Sequence, residues 1–121
     1  MSQMIEVKTA ELSGAALDWA VAKAEGVSVF KSRSNAGTLT CWLSEKPKQQ
    51  YSPSTRWRQA GPLIEKHRIG FGLYPSAYFA CTGLNDCGGE ASGPTHLIAA
   101  CRAIIAAKLG DTLAVPAELL P

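Results

Sequence analysis

At 121 residues, with 46% apolar and 18% charged side chains, the chain has the size of one domain, 1–121, and is too apolar to be disordered. Twelve Lys and Arg against ten Asp and Glu leave a net charge of +2, which excludes a strongly basic nucleic-acid sleeve and an acidic tail but leaves room for a local basic patch. No apolar run approaches the ~20 residues of a membrane span, and no charged-then-apolar signal segment opens the chain, so the expectation is a soluble, cytoplasmic protein with no membrane partner.

Met4 to Lys8 sets Ile5 and Val7 against Glu6 and Lys8, the period of a short strand. Ser13 is placed as a helix N-cap, with Leu12 and Leu17 at the spacing of a hydrophobic staple. Leu17, Ala20, Val21 and Ala24 then recur at helical spacing up to Gly26, a left-handed stop, so the pattern predicts a helix over 14–25. Strands are predicted over 27–31 and 38–43, joined as a hairpin through Ser34-Asn35-Ala36-Gly37. The polar stretch 44–50 reads as a loop.

Gly61-Pro62 is expected to open a second, shorter helix ending near Arg68, with Pro62 at the first helical position. Ile69, Phe71 and Leu73 alternate with Gly70 and Gly72 as a strand with one bare face, and 78–82 gives another. The segment 83–92 reads as a loop. Gly93-Pro94-Thr95 starts the longest helix, whose apolar stripe is Leu97, Ile98, Cys101, Ile104, Ile105 and Leu109, with Lys108 in the last turn and Gly110 after it. Residues 112–115 suit an edge strand. The order β-α-β-β-α-β-β-α-β is an α+β pattern: a small, mostly antiparallel sheet with two main helices and one short helix.

The cysteines at 41, 81, 87 and 101 and the histidines at 67 and 96 form neither a zinc-knuckle spacing nor a Cys-x-x-Cys pair. No metal and no cofactor are expected, and four free thiols are; Cys81 and Cys87 flank a Gly/Asn/Asp loop and could meet if the chain were exported. Nothing pairs a nucleophile with a base. Asp18 and Glu25 sit on the first helix, one of them expected to be solvated, His67 is alone, and Gly88-Gly89 lacks the P-loop pattern. No catalytic residue is assigned, and a hydrolase is the weakest of the readings.

The richest stretch is Tyr51-Ser52-Pro53-Ser54-Thr55-Arg56-Trp57-Arg58-Gln59-Ala60-Gly61-Pro62, with two aromatics, three hydroxyls, two arginines and an amide in one connection. Tyr51 or Trp57 suits stacking on a base, Arg56 or Arg58 suits a phosphate, and the helix start at Gly61 offers free amides to an anion. The alternative is a capping loop whose Trp57 fills the edge of the core. Thr95 and His96 offer a second helix start, either the lip of a pocket or ordinary capping beside a surface histidine.

Thr9-Ala10-Glu11-Leu12-Ser13-Gly14 with Ala16-Leu17-Asp18-Trp19-Ala20-Val21-Ala22-Lys23, then Tyr51-Ser52-Pro53-Ser54-Thr55-x-Trp57 with Gly61-Pro62-Leu63-Ile64-Glu65, then Gly93-Pro94-Thr95-x-Leu97-Ile98-Ala99-Ala100-Cys101-Arg102 with Lys108-Leu109-Gly110-Asp111, closely resemble the three blocks of the bacteriophage NinX family. Residues 27–50 and 69–92 resemble it only in hydrophobic pattern. Arg56 stands where the resemblance leads one to expect aspartate, and Ala60 where glycine is expected, which makes the loop more basic and removes any contact needing a carboxylate at 56. The resemblance implies a small accessory protein in the cytoplasm of the bacterial host, not a reaction. By analogy with small phage proteins that counter host defence, it suggests a sponge that sequesters a nucleotide-derived signal.

The expectation is therefore a non-enzymatic protein that binds a small anionic, nucleotide-like ligand through Tyr51, Ser52, Ser54, Thr55, Arg56, Trp57, Arg58, Gln59, Gly61, Thr95 and His96. The rival is a nucleic-acid or protein interaction module in phage replication or recombination. The low net charge weighs against nucleic acid, and a homo-oligomer is compatible with either reading.

Overall fold

The computed structural model describes residues 3–33, 37, 39–45, 48–75, 77–83 and 88–120, of which Ser44, Glu45, Lys48 and Tyr74 as backbone only. The chain runs through β1 (Met4–Lys8), a 3-10 turn (Thr9–Glu11), α1 (Gly14–Glu25), β2 (Phe30–Arg33), β3 (Leu39–Glu45), β4 (Lys48–Gln50), α2 (Trp57–Lys66), β5 (Gly70–Tyr74), β6 (Ala77–Cys81), β7 (Glu90–Gly93), α3 (His96–Leu109), β8 (Thr112–Pro116) and a closing 3-10 turn (Ala117–Leu119). The α+β class holds. The strands form three small antiparallel sheets, β1-β8, β2-β3-β4 and β5-β6-β7, in place of one.

The third helix organises the molecule. Its Leu97, Cys101, Ile104 and Ile105 are buried as the apolar stripe requires, and Ala99, Ala100 and Ala103 are buried as well, so it is packed on more than one side. Toward α1 it meets a cluster that includes Leu12, Leu17, Val21, Tyr51 and Val115; toward the β5-β6-β7 sheet it meets Ile69 and Ala80. Thr95 caps it, its Oγ1 accepting from the Ile98 amide at 3.1 Å. Glycine lets β7 lie directly on the helix: a Cβ on Gly89 would fall 2.4 Å from the Ala103 carbonyl oxygen, and one on Gly93 2.9 Å from Ile98 Cγ2. Arg102 secures both neighbours, donating from Nε to Leu12 O and from Nη1 to Ser92 O, each at 2.9 Å. Burial lowers the pKa of this guanidinium.

The first helix spans 14–25 as predicted, with Ser13 at the N-cap (its side chain makes no capping bond) and Gly26 left-handed at φ 69°. The tail pairs with the N-terminal strand, Ile5 opposite Val115. Five expectations are corrected. First, β2 starts at Phe30, not 27, because Val27 and Val29 pack on the α1 core instead of joining the sheet. Second, β3 runs to Glu45 and β4 pairs back on it, Trp42 opposite Gln50, so the polar stretch 44–50 contains strand held by main-chain pairing without an apolar pattern. Third, β7 likewise replaces part of the loop expected over 83–92. Of the expected 34–37 turn, only Gly37, at φ 82°, is among the described residues.

The fourth correction concerns α2, which begins at Trp57, four residues before Gly61, and carries Pro62 inside it. Ser52 O accepts from the Thr55 and Arg56 amides, and Arg56 O accepts from Gln59 and Ala60, so the turn at 52–55 has started the helix before Pro62 is reached. The fifth is the thiol state. Cys81 is disulfide-bonded, against the expectation of four free thiols, while Cys41 and Cys101 are free and buried; Cys87 lies outside the described residues. Burial, reinforced by the charge of Asp18, pushes the Cys41 thiol up to about 12. Among the described residues no helix is long and apolar enough to cross a membrane.

Candidate ligand-binding site

The connection between β4 and α2 is held by side chains from both ends. The Tyr51 amide donates to Cys41 O at 2.8 Å, and the Tyr51 ring, 7% exposed, is part of the α1 core. Gln59 zips the loop onto the start of its own helix: its Oε1 accepts from the Ser52 amide at 2.6 Å, and its Nε2 donates to Gln50 O at 2.7 Å. From α1, Asp18 Oδ1 accepts from the Ser54 amide at 2.9 Å. Burial raises the Asp18 carboxyl to about 6, against the pull of the Ser54 bond and the Arg56 charge. The Ser54 hydroxyl, beside the same carboxyl, pulls in the same direction as that bond; among the described residues Ser52 Oγ and Ser54 Oγ are both buried and make no hydrogen bond.

Trp57, the first residue of α2, is 59% exposed. It does not fill the core edge; Tyr51 does. The Trp57 ring lies 6.1 Å from the imidazole of His96, the first residue of α3. Tyr78 from β6 packs against the same imidazole at 4.0 Å, and Phe71 from β5 meets it edge-on at 5.1 Å. A cavity of about 420 Å³ opens here, lined among others by Ser54, Thr55, Trp57, Tyr78, Thr95 and His96. The starts of α2 and α3 therefore share one cleft, lined by both aromatic rings and hydroxyl-bearing residues. The first-turn amides at a helix N-terminus favour an anion.

Of the predicted residues, Ser54, Thr55, Trp57, Thr95 and His96 come together at this cleft. Arg56, Arg58 and Gln59 line a separate depression of about 390 Å³, with Trp42, Gln49 and Gln50. Tyr51 and Ser52 are buried, and Gly61 lies inside α2, so its amide does not mark a helix start. The sequence reading missed Tyr78 and Phe71, which only the strand pairing Phe71–Ala80 and Leu73–Tyr78 carries to His96. The bare glycine face beside Phe71 was the one available signal.

Neither first-helix carboxylate is solvated, against expectation. Glu25 accepts from His67 Nε2 at 2.6 Å and pairs with Lys66 at 2.8 Å. Burial alone would raise its pKa, but the Lys66 and His67 bonds outweigh that and hold it below the usual value. The lone histidine thus ties the end of α1 to the end of α2, away from the cleft.

The chain matches the family described as Bacteriophage P22, NinX over residues 8–108. It belongs to the bacteriophage NinX family. No curated protein gives a match. The NinX span takes in every residue named at both depressions, along with Gly93 and Arg102, which hold β7 on α3.

Proposed function

We propose that this NinX-family protein binds a small aromatic anion of nucleotide type in the Trp57–His96 cleft. The observation that carries the reading is the exposed Trp57 indole facing His96 across a cavity where two helix N-termini meet. A large aromatic left in water beside a cavity is a common mark of a binding surface. The ligand's ring stacks on Trp57, and its phosphate takes the first-turn amides that Thr95 leaves uncapped and the proton of the Thr95 hydroxyl. In the host, such binding would serve an accessory role, withdrawing a nucleotide-derived signal from a defence response.

The test is a thermal-shift panel of linear and cyclic nucleotides with their parent nucleosides. A ligand that binds the folded state raises the midpoint by mass action. Nucleotides should shift it and nucleosides much less; a flat panel would overturn the reading. One observation favours an interaction module instead: Phe71 and Leu73 are exposed on β5, an edge strand.

A further inference from the structure

We infer that the depression lined by Arg56, Arg58 and Trp42 is a second site, separate from the cleft, and that it takes a phosphate ester. Arg56 is the N-cap of α2 and Arg58 is its second residue; the first turn holds no acid, and no side chain caps it. Cations are disfavoured at the positive end of a helix, and an N-cap without an acceptor forgoes a stabilising bond. Both arginines thus stand where they weaken their own helix. Among the described residues neither forms an ion pair. Arg56 reaches Gln50 Oε1 at 3.5 Å, and its charge is felt by the buried Asp18 without an ion pair forming.

The Gln59 carboxamide is occupied by Ser52 and Gln50, and Trp42 Nε1 donates to Ser32 O at 3.0 Å, fixing the indole as a flat wall. The depression is thus lined by two arginines and an indole, with three glutamines around them. Planar guanidinium forks suit the oxygens of a phosphate, which can accept two parallel bonds from each. The phosphate has two possible sources, a free nucleotide or the backbone of a single strand whose base meets Trp42.

Calorimetry on the full chain, with tripolyphosphate, a thymidine octanucleotide and citrate as probes, tests this. Tripolyphosphate should bind, and citrate should bind far more weakly. Arg58→Ala should weaken tripolyphosphate about tenfold or more, the loss expected for a charge-assisted bond. Arg56→Asp should abolish binding while raising the melting midpoint, because aspartate caps α2. Trp57→Ala should leave this binding unchanged, which keeps the result independent of the cleft. Octanucleotide binding that weakens with salt and is lost in Arg58→Ala identifies a strand as the source; tripolyphosphate binding alone identifies a free phosphate. The inference is overturned if tripolyphosphate does not bind, if both arginine variants bind it as wild type does, if citrate binds equally, or if Trp57→Ala removes the binding.

Discussion

Asp18 on α1 accepts the backbone amide of Ser54 at 2.9 Å across 36 residues of sequence, in a buried setting. That bond fixes the loop in front of Trp57, so the rigidity of the candidate site depends on a carboxylate that burial works against. Unfolded, Asp18 titrates near 3.8; folded, near 6. Between those values the folded state holds the proton more tightly. Its contribution to stability therefore falls as pH rises from about 4 to about 6 and is level above, a loss on the order of 3 kcal/mol. Asp18→Asn keeps an acceptor and removes the charge. Calorimetric melting should show the variant more stable than wild type at pH 7 and nearly equal at pH 4; a less stable variant at pH 7 would contradict this. Glu25, with its pKa lowered from 4.5, acts with the opposite sign, its contribution present above that value and lost as pH falls, and it cancels in the comparison.

Two glycines should respond differently to the same change. Gly89→Ala puts a methyl into the Ala103 carbonyl and the Ala107 backbone, so β7 must lift off α3; a loss of about 1–3 kcal/mol in urea unfolding is expected. Gly61 lies within α2 with nothing beyond its chain neighbours and its own helix near its would-be Cβ; the propensity gain of Gly61→Ala, about 0.5–1 kcal/mol, is opposed by the crowding Pro62 imposes on a Cβ before it, so stability should change by less than that and binding at the cleft should not alter.

The α3 stripe is core, not a partner surface. Ile104 is 1% exposed, and Ile104→Ala should cost about 2–5 kcal/mol. A cost near zero would mean the helix is not the centre of the fold.

Thiol titration in denaturant without reductant should find fewer than four groups, Cys41 and Cys101 among them, and four after reduction. Finding four before reduction would contradict the bonded state of Cys81.

The helices were legible where a stripe and a cap coincided: 14–25 runs from Ser13 to Gly26, and α3 runs from Thr95 to Gly110. What stayed hidden depends on distant partners. Gln49 and Gln50 are strand residues because β3 offers them carbonyls and amides, and no local pattern reports that. The motif loop stood out by composition, yet its residues point two ways: Trp57 toward His96, and Arg56 and Arg58 toward Trp42. That division follows from α2 starting at Trp57, which the Gly61-Pro62 pair obscured. Tyr51 looked like Trp57 in sequence, yet Tyr51 is buried in the α1 core while Trp57 stands exposed at the start of α2.

The central claim is that Trp57 is there for a ligand and not for the fold. The most direct measurement is calorimetric titration of a nucleotide that shifts the wild-type midpoint, repeated on Trp57→Ala with both melting curves recorded. The account predicts an unchanged midpoint without ligand, because the indole is mostly in water, and a binding loss of roughly 1–3 kcal/mol for the missing stack. Equal affinity in the two proteins, or a variant that melts well below wild type and binds nothing more weakly, would contradict it.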